Sequence, residues 1–465
     1  MKKNVFIVVS LLFIFSCQNN SDSNGQKVSN GKDPSVPSNN LAVSSCDEFV
    51  QSLGADYMRD QVMVPENYQK PNENLIQVSY FRPKVLASKV VIFFNGGPGG
   101  DSHSSYSVLD KTLSDKKLKD QVSLVYLDQR GNGCSTGFPV GSVSDISYLE
   151  KLTHYGSIEI VNDAEVIRQK LMGTKPWTVF GQSYGGFLVH RYVSLFPESI
   201  VKAISHAGSI SLDGFERNKS RITSQVYVWN LFAKEYPAAF DKMKKMKSFL
   251  TINKNFCIAY GPKNDSACGL EIMDEAGLMS NLGFNKWDRL SKAFDRYVDA
   301  QGVLNQTELK KRLDLGFQED LPGYGPAMSV INITDRGVGS MYASVCLSIY
   351  ADASAKLGVN ADDYFTECSS SIQLNQEESP RRAALVKTLQ PYLRLETAAE
   401  LRSGILKMQP KSFYIYSGDH DTFVPEGSIL PELKFINDLV NYKHFATTGH
   451  DGFYTEAEVL QQLVN

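Results

Sequence analysis

Short apolar runs, separated by polar or glycine-rich turns, recur in two parts of the chain, residues 75–209 and 412–464. Runs of this kind are typical of strands buried in a parallel sheet. We predict strands in these segments: LIQVSYFRP (75–83), KVVIFFNGG (89–97), VSLVYLDQRG (122–131), WTVFG (177–181), VKAISHAGS (201–209), SFYIYSGDHD (412–421) and YKHFATTGHD (442–451). A helical segment begins at Gly185, and another, EAEVLQQLV, closes the chain. Strands that alternate with helices predict an α/β fold with a mostly parallel, doubly wound sheet.

Between residues 210 and 404 this rhythm changes. The segment is richer in helix formers and charge, as in AAFDKMKKMKSFL and SPRRAALVKTLQPYL, and it contains no convincing parallel strand. We therefore predict a mostly helical cap domain at 210–404, inserted before the strand that follows it. The insertion divides the sheet domain into a first part, 46–209, and a second part, 405–465.

The first residues read as a targeting signal. Two lysines precede an apolar stretch from Val5 to Phe15 that is too short to cross a bilayer. The stretch ends in IFSC, which resembles a bacterial lipobox with Cys17 as the lipidated residue. We predict a signal peptide at 1–17, a flexible linker at 18–45, and an exported bacterial lipoprotein, periplasmic or on the cell surface. An ordinary secreted protein and an uncleaved anchor are the alternatives.

Export changes the interpretation of the cysteines. The chain has 7 of them, and lipidation of Cys17 leaves six, an even number in an oxidising compartment. Proximity in the sequence favours the pairs Cys257–Cys268 and Cys346–Cys368, which leaves Cys46–Cys134. The alternative is that some of these residues are buried thiols.

Overall charge gives no indication of a polyanionic partner. The chain has 48 basic and 51 acidic residues, and 42% of its residues are hydrophobic. This balance predicts a folded domain with a sizeable core and argues against nucleic acid binding. Contact with a membrane is expected only through the N-terminal lipid. The oligomeric state is left open by the sequence.

The segment GQSYG, residues 181–185, lies where the strand WTVFG ends and the next helix begins. A serine on such a sharp turn projects its hydroxyl clear of the backbone, and flanking glycines remove Cβ atoms that would collide. We therefore predict that Ser183 is a nucleophile. A structural turn is the alternative, because this pattern also recurs by chance.

A serine hydroxyl needs a base, and the base needs a carboxylate that orients it. After the strand at 412–421, the pattern G-x-x-D-x-x-x-P selects Asp421 over Asp419 as the acid. His450 follows the next strand in a glycine-flanked loop, and we predict that it is the base. The other candidates for this role are His420 and His444. His190 and His206, closer to Ser183 in the sequence, read as core or helix residues.

Acyl transfer also requires donors for a developing oxyanion. The backbone N–H of Tyr184, directly after the nucleophile, is one predicted donor. The second is expected from the loop FFNGGPGGDS, where Gly97 is our choice. A plain glycine-rich turn is the alternative for this loop. No phosphate-binding or nucleotide-binding motif is present in it.

Taken together, these segments resemble one family, the prolyl aminopeptidases (proline iminopeptidases) and their tripeptidyl aminopeptidase relatives. The matching segments are NGGPGG, DQRGNGCS, the nucleophile region at 176–200, SGDHDTFVP and GHDG. The resemblance covers roughly residues 60–210 and 410–455 and is weak across the insertion. Asn95 stands where the family has a histidine. Within the family, Asp128 and Arg130 have a mainly structural role.

The resemblance implies an α/β-hydrolase with a helical cap and no cofactor. It implies a serine exopeptidase that releases proline or short peptides from substrates with a free N-terminus, with Ser183, Asp421 and His450 as the triad. A cap carboxylate is the natural partner for the substrate ammonium. Acidic residues of the insertion are the candidates, although each reads first as a surface charge: Glu216, Glu235, Asp274, Glu275, Asp362 and Asp363. The alternative functions are an esterase or lipase on the same triad and a non-catalytic binding lipoprotein.

Overall fold

The structure is a computed structural model that describes residues 43–464, apart from several internal positions. The positions outside the described residues are 55, 103–108, 110–111, 116–117, 210–213, 262–264, 317–326, 329, 332–342, 374–379, 394–397 and 453–455. Cys17, the signal segment and the linker at 18–42 also lie outside them. The predicted lipidation therefore stays a prediction.

Ten strands form within the described residues, and eight of them make one sheet in the order β1-β2-β4-β3-β5-β6-β9-β10. The strands are β1 (Tyr57–Pro65), β2 (Leu75–Pro83), β3 (Val90–Phe94), β4 (Ser123–Leu127), β5 (Trp177–Gln182), β6 (Ile200–His206), β7 (Cys257–Tyr260), β8 (Asp265–Cys268), β9 (Phe413–Gly418) and β10 (Asn441–Phe445). Within the eight-stranded sheet, β1 and β2 are antiparallel, as are β2 and β4. Every other neighbouring pair of this sheet is parallel. The predicted sheet of mostly parallel strands is confirmed.

Helices cover both faces of this sheet. The helices of the described residues are α1 (Val43–Ser52), α2 (Ile146–Leu152), α3 (Ser157–Met172), α4 (Tyr184–Leu195), α5 (Gly214–Glu235), α6 (Pro237–Ile252), α7 (Glu271–Glu275), α8 (Leu278–Gly283), α9 (Trp287–Tyr297), α10 (Gln306–Gly316), α11 (Ala343–Leu357), α12 (Glu367–Gln373), α13 (Pro380–Leu389), α14 (Ala398–Ile405), α15 (Leu430–Leu433) and α16 (Ala457–Val464). Side chains that alternate along β3 enter two different cores. Ile92 and Phe94 pack with α3 and α4, whereas Val91 and Phe93 pack with α1 and α16. This alternation is why the strand is apolar throughout.

The inserted segment builds a core of its own. Apolar side chains from α5 to α12 form one buried cluster, with Trp229 and Phe294 fully buried in it. The segment also contains the antiparallel hairpin β7–β8, which the sequence pattern did not indicate. Its last helix, α14, packs on the sheet domain instead, where Leu401 is fully buried. The boundaries at 210 and 404 stay predictions.

All six cysteines of the described residues form disulfides, in the pairs Cys46–Cys134, Cys257–Cys268 and Cys346–Cys368. The predicted pairing is confirmed, and the alternative of buried thiols does not hold for these residues. Three disulfides indicate that the protein works outside the cytoplasm. Among the described helices, none combines the length and the apolar character needed to cross a membrane.

Candidate active site

Ser183 lies between the end of β5 and the first residue of α4. Its backbone has φ 60° and ψ −121°, a conformation that residues other than glycine rarely adopt. The serine N–H donates to the carbonyl of His206 on the neighbouring strand (2.9 Å), and its own carbonyl accepts the first helical bond from Phe187 (3.1 Å). Hydrogen bonds on both sides therefore hold the strained residue at the carboxyl edge of the sheet.

Glycines around Ser183 are required by close backbone contacts. A Cβ atom on Gly185 would lie 1.9 Å from the carbonyl oxygen of Phe94, and one on Gly181 would lie 2.1 Å from the carbonyl oxygen of Gly185. Neither position has room for a methyl group. The small residues of GQSYG thus allow α4 to start directly against the end of β3, where the glycine-rich loop begins.

His450 and Asp421 meet at the same edge of the sheet. His450 Nδ1 lies 2.8 Å from Asp421 Oδ2, and both side chains are fully buried. The other carboxylate oxygen of Asp421 accepts the backbone N–H groups of Phe423 (2.8 Å) and Val424 (2.9 Å). Burial opposes ionisation of Asp421, but His450 and these two amides outweigh burial and lower the pKa of the carboxyl. The pair is therefore an ionised carboxylate that fixes an imidazole ring.

The segments that carry Ser183 and His450 are joined by Gln182, which the sequence did not single out. Its Nε2 atom donates to the carbonyl oxygen of His450 (2.8 Å). The structure thus brings together the strand end before the predicted nucleophile, the loop with the predicted base and the predicted acid. Their catalytic roles stay predictions.

The alternative candidates have other partners. His420 Nδ1 lies 3.0 Å from Oδ1 of Asn285, and His444 Nδ1 lies 2.8 Å from the hydroxyl of Ser417. Asp419, the alternative acid, accepts a hydrogen bond from the hydroxyl of Tyr227 (2.7 Å). The geometry therefore favours Asp421 and His450 for the pair.

His190 and His206 are core residues. His190 lies on α4 and His206 at the end of β6, and both side chains are fully buried. Burial lowers the pKa of each imidazole to about 3, so both are neutral at physiological pH. His190 packs edge-on against Phe413, with ring centroids 5.6 Å apart.

The glycine-rich loop after β3 lies beside Ser183. A Cβ atom on Gly96 would be 3.3 Å from the Cβ atom of Ser183, and Gly97 has φ +114°. The N–H of Gly96 donates to Asn95 Oδ1 (2.8 Å), so it is already occupied. Gly97 and Tyr184, the first residue of α4, stay the predicted oxyanion donors, and Tyr184 lies at the positive end of the helix dipole.

Asn95 and Gln129 give the loop its shape. Asn95 Nδ2 donates to the carbonyl of Asp101 (2.5 Å), which spans the loop from its first residue to its last. Gln129 Nε2 donates to the carbonyl of Asn95 (3.0 Å), and Gln129 Oε1 accepts from the N–H of Gly99 (3.3 Å). Asn95 therefore fixes the shape of the loop through contacts at both of its ends.

Asp128 and Arg130 bind backbone and buried side chains. Asp128 accepts the N–H groups of Ser102 (2.8 Å) and Cys134 (2.7 Å), while burial and the nearby Asp101 raise its pKa to about 6. Arg130 makes a two-pronged, fully buried salt bridge with Asp163, at 2.7 and 2.6 Å. These contacts agree with the structural role expected for both residues.

The cap carboxylates divide into two groups. Glu216, Glu235, Asp362 and Asp363 are exposed, as expected of surface charges. Asp274 differs, because burial and neighbouring carboxylates raise its pKa to about 8 while its Oδ2 atom accepts the Ser370 hydroxyl (2.6 Å). Glu275 is half-buried. No contact assigns any of the six to a substrate.

Comparison with known proteins supports the fold. Residues 89–243 match the model of a family described as having the alpha/beta hydrolase fold. A proline iminopeptidase from Aeromonas sobria is 38% identical over 146 residues, which are 30% of this chain and 34% of that protein. A proline iminopeptidase from Aspergillus aculeatus is 24% identical over 212 residues, 41% of this chain and 46% of that protein. This chain thus matches less than half the length of either relative.

Solved structures are similar only at a low level. An acetylester hydrolase from Corynebacterium glutamicum covers 89% of this chain and 95% of its own, with 13% identity and a TM-score of 0.42. So weak a similarity carries no argument about activity. The sheet order, the strained serine and the matched segment together show that the chain has the α/β-hydrolase fold, and part of the chain is similar to proline iminopeptidases.

Proposed function

We propose that this protein is a serine exopeptidase that releases N-terminal residues from peptides with a free α-amine. The observation that carries the proposal is the buried His450–Asp421 pair, whose histidine accepts at its backbone carbonyl a hydrogen bond from Gln182, the residue before the strained Ser183. The similarity of part of the chain to proline iminopeptidases supports the choice of an aminopeptidase.

The proposed reaction has two steps. The Ser183 hydroxyl attacks the scissile carbonyl carbon while His450 Nε2 takes its proton, and the N–H groups of Tyr184 and Gly97 stabilise the oxyanion. The same imidazole then protonates the leaving amine as the C–N bond breaks. Water, activated by His450, attacks the acyl-enzyme and frees Ser183. Apart from the substrate and this water molecule, the scheme uses only groups of the chain.

The class of substrate can be tested with a panel of arylamides. Prolyl-, alanyl- and tripeptidyl-arylamides are assayed in free and N-acetylated form, with Ser183→Ala as the matched control. We expect hydrolysis of the free forms, loss of activity on acetylation, and a fall in kcat of at least about 1000-fold in the variant. Equal rates on free and acetylated arylamides would contradict an aminopeptidase, and cleavage of simple esters without cleavage of any arylamide would indicate an esterase instead.

We also propose that the protein reaches its site of action as a lipoprotein. The apolar stretch before Cys17 and the three disulfides are the supporting observations. Expression with a clickable fatty acid should label the wild type. Cys17→Ala should lose the label and leave the membrane fraction. An unlabelled wild type contradicts the proposal.

A further inference from the structure

The cap contacts the loops of Asp421 and His450 through α5, where the Ser224 hydroxyl donates to the carbonyl of Asp421 (3.1 Å), and through the short turn at residues 283–287, between α8 and α9. Gly283 accepts the backbone N–H of His450 through its carbonyl (2.9 Å), and the ring of Phe284 lies edge-on to the His450 ring, with centroids 5.8 Å apart. On the other side, His450 is held by Gln182 of the nucleophile strand. The predicted base thus lies between the sheet and the cap. Its backbone N–H donates to the cap, and its backbone carbonyl accepts from the Gln182 side chain.

The turn is a Schellman motif with an asparagine in its left-handed position. Asn285 has φ 56°. Its N–H donates to the carbonyl of Leu282 (3.1 Å), and the N–H of Lys286 donates to the carbonyl of Asn281 (2.9 Å). Glycine is the residue most often found at this position, because it has no Cβ penalty there. Asparagine is also found at this position, so the backbone motif tolerates Asn285 but does not require the hydrogen bonds that its side chain makes.

The side chain of Asn285 instead joins two loops. Its Nδ2 atom donates to the carbonyl of Thr447 (3.0 Å), three residues before His450. Its Oδ1 atom faces His420 Nδ1 (3.0 Å), one residue before Asp421. Since the amide nitrogen is committed to Thr447, the oxygen accepts and His420 Nδ1 carries a hydrogen. His420 is further fixed by stacking on Trp287, with centroids 4.8 Å apart.

We propose that Asn285 is a positioning residue that sets the geometry of the His450–Asp421 pair. It does so by linking the loop after β9, which carries Asp421, and the loop after β10, which carries His450, to the cap. The inference rests on the proposed function, since it assigns a role toward the same base. It requires no contact between Asn285 and the substrate. The side chain acts through His420 and Thr447, and the turn acts through the Gly283–His450 hydrogen bond.

A matched set of variants tests this role. Asn285→Gly keeps the left-handed turn and removes both side-chain hydrogen bonds. Asn285→Asp keeps the acceptor for His420 and loses the donor to Thr447. Lys411→Gly is the control, because Lys411 also has a positive φ (58°) and one side-chain hydrogen bond to a carbonyl, that of Val440 (3.3 Å), at the opposite end of β9. The readouts are kcat, KM, the pH profile of kcat/KM, the melting temperature and the rate of Ser183 labelling by a fluorophosphonate.

We expect Asn285→Gly to lower kcat and the labelling rate about tenfold, less than the roughly 100-fold cost of a 1 Å displacement, with KM nearly unchanged. The midpoint of the acidic limb of its pH profile should move. Asn285→Asp should lie between this variant and the wild type, and Lys411→Gly should match the wild type in kcat and pH profile.

Three results would overturn the inference: wild-type kcat in Asn285→Gly, a loss of rate explained by unfolding alone, or an equal loss in Lys411→Gly. Failure of the proposed function looks different. In that case the wild type cleaves acetylated arylamides as fast as free ones, cleaves simple esters without cleaving any arylamide, or keeps its activity in Ser183→Ala. The labelling rate still tests Asn285 if arylamides are poor substrates, and a wild type that the probe fails to label overturns both proposals.

Discussion

The carboxylate of Asp421 uses both of its oxygens: Oδ2 lies 2.8 Å from His450 Nδ1, while Oδ1 accepts two backbone N–H groups. The amides fix the carboxylate, and the carboxylate fixes the imidazole. Nδ1 of His450 therefore carries the hydrogen, which leaves Nε2 as the basic nitrogen. The orientation of the His450 ring depends on the carboxylate of Asp421, and that of the carboxylate depends on the two amides. A change of one atom at residue 421 should therefore change which nitrogen of His450 carries the hydrogen.

Asp421→Asn makes that change. The amide oxygen of the variant has to replace Oδ1 toward the N–H groups of Phe423 and Val424, which turns its NH₂ group toward His450. Nδ1 must then accept, and the hydrogen moves to Nε2, the wrong tautomer for a base. By analogy with the same change in a well-studied serine protease, we expect kcat to fall about 10,000-fold. Steady-state kinetics measures the fall in kcat, and an unchanged circular dichroism spectrum shows that the variant is folded. A loss of less than about tenfold would contradict the assignment of Asp421 as the acid.

Ser183 stores backbone strain that glycine should release. Ser183→Gly and Ser183→Ala both lack the hydroxyl, but only glycine adopts φ 60° with ψ −121° without steric cost. We expect Ser183→Gly to unfold with a free energy about 1 kcal/mol higher than that of Ser183→Ala. Urea denaturation of the two inactive variants makes the comparison. Equal midpoints in urea would mean that this backbone is not strained in solution.

Acid should destabilise the fold through its buried histidines. Burial lowers the pKa of His190 and His206 to about 3, whereas an unfolded histidine titrates at 6.5. The unfolded chain therefore binds more protons below pH 6.5, and stability is lost as the pH falls from there toward 3. Each histidine contributes a slope of about 1.4 kcal/mol per pH unit.

The variant His190→Phe isolates one of these protons. Phenylalanine keeps an aromatic ring against Phe413 and cannot be protonated. The free energy of unfolding, measured in urea at pH 7 and pH 5, should fall less steeply in the variant than in the wild type. An unchanged slope would show that His190 does not stay neutral in the folded protein.

The disulfides should differ in their contribution to stability. Cys46–Cys134 closes a separation of 88 residues, and Cys257–Cys268 closes one of 11. The chain-entropy estimate gives about 4.6 and 2.8 kcal/mol, respectively. Replacing both cysteines of each pair by serine should therefore lower the melting temperature more for Cys46/Cys134. The reverse order would indicate that native-state contacts, not loop closure, dominate.

Much of this architecture can be predicted from the chain alone. The strands of the sheet interior are apolar on both faces, so β3, β4 and β5 stand out in the sequence. The edge strand β1 has only one well-buried face, so its pattern of hydrophobic residues did not predict a separate strand. The sequence predicts Ser183, Asp421 and His450 as the triad because each follows a strand in a loop marked by glycine.

Residues that support the site were harder to find. Gln182, Asn95 and Gln129 act through side-chain hydrogen bonds to backbone atoms that are 268, 6 and 34 residues away, respectively, and no spacing rule links such pairs. The cap turn at Asn285 lies more than 130 residues before the loops that it touches, the separations being 135 and 162 residues. Only the folded chain shows that these segments are neighbours.

The cysteine pairs have a consequence for engineering. Two disulfides lie wholly within the inserted segment, and the third lies wholly within the sheet domain. Among the described cysteines, no crosslink joins the two parts, so apart from the main chain they are connected only by non-covalent contacts. The insertion could therefore be exchanged for that of a relative as a unit that carries its own disulfides, provided that the turn at residues 283–287 and the packing of α14 on the sheet domain are kept.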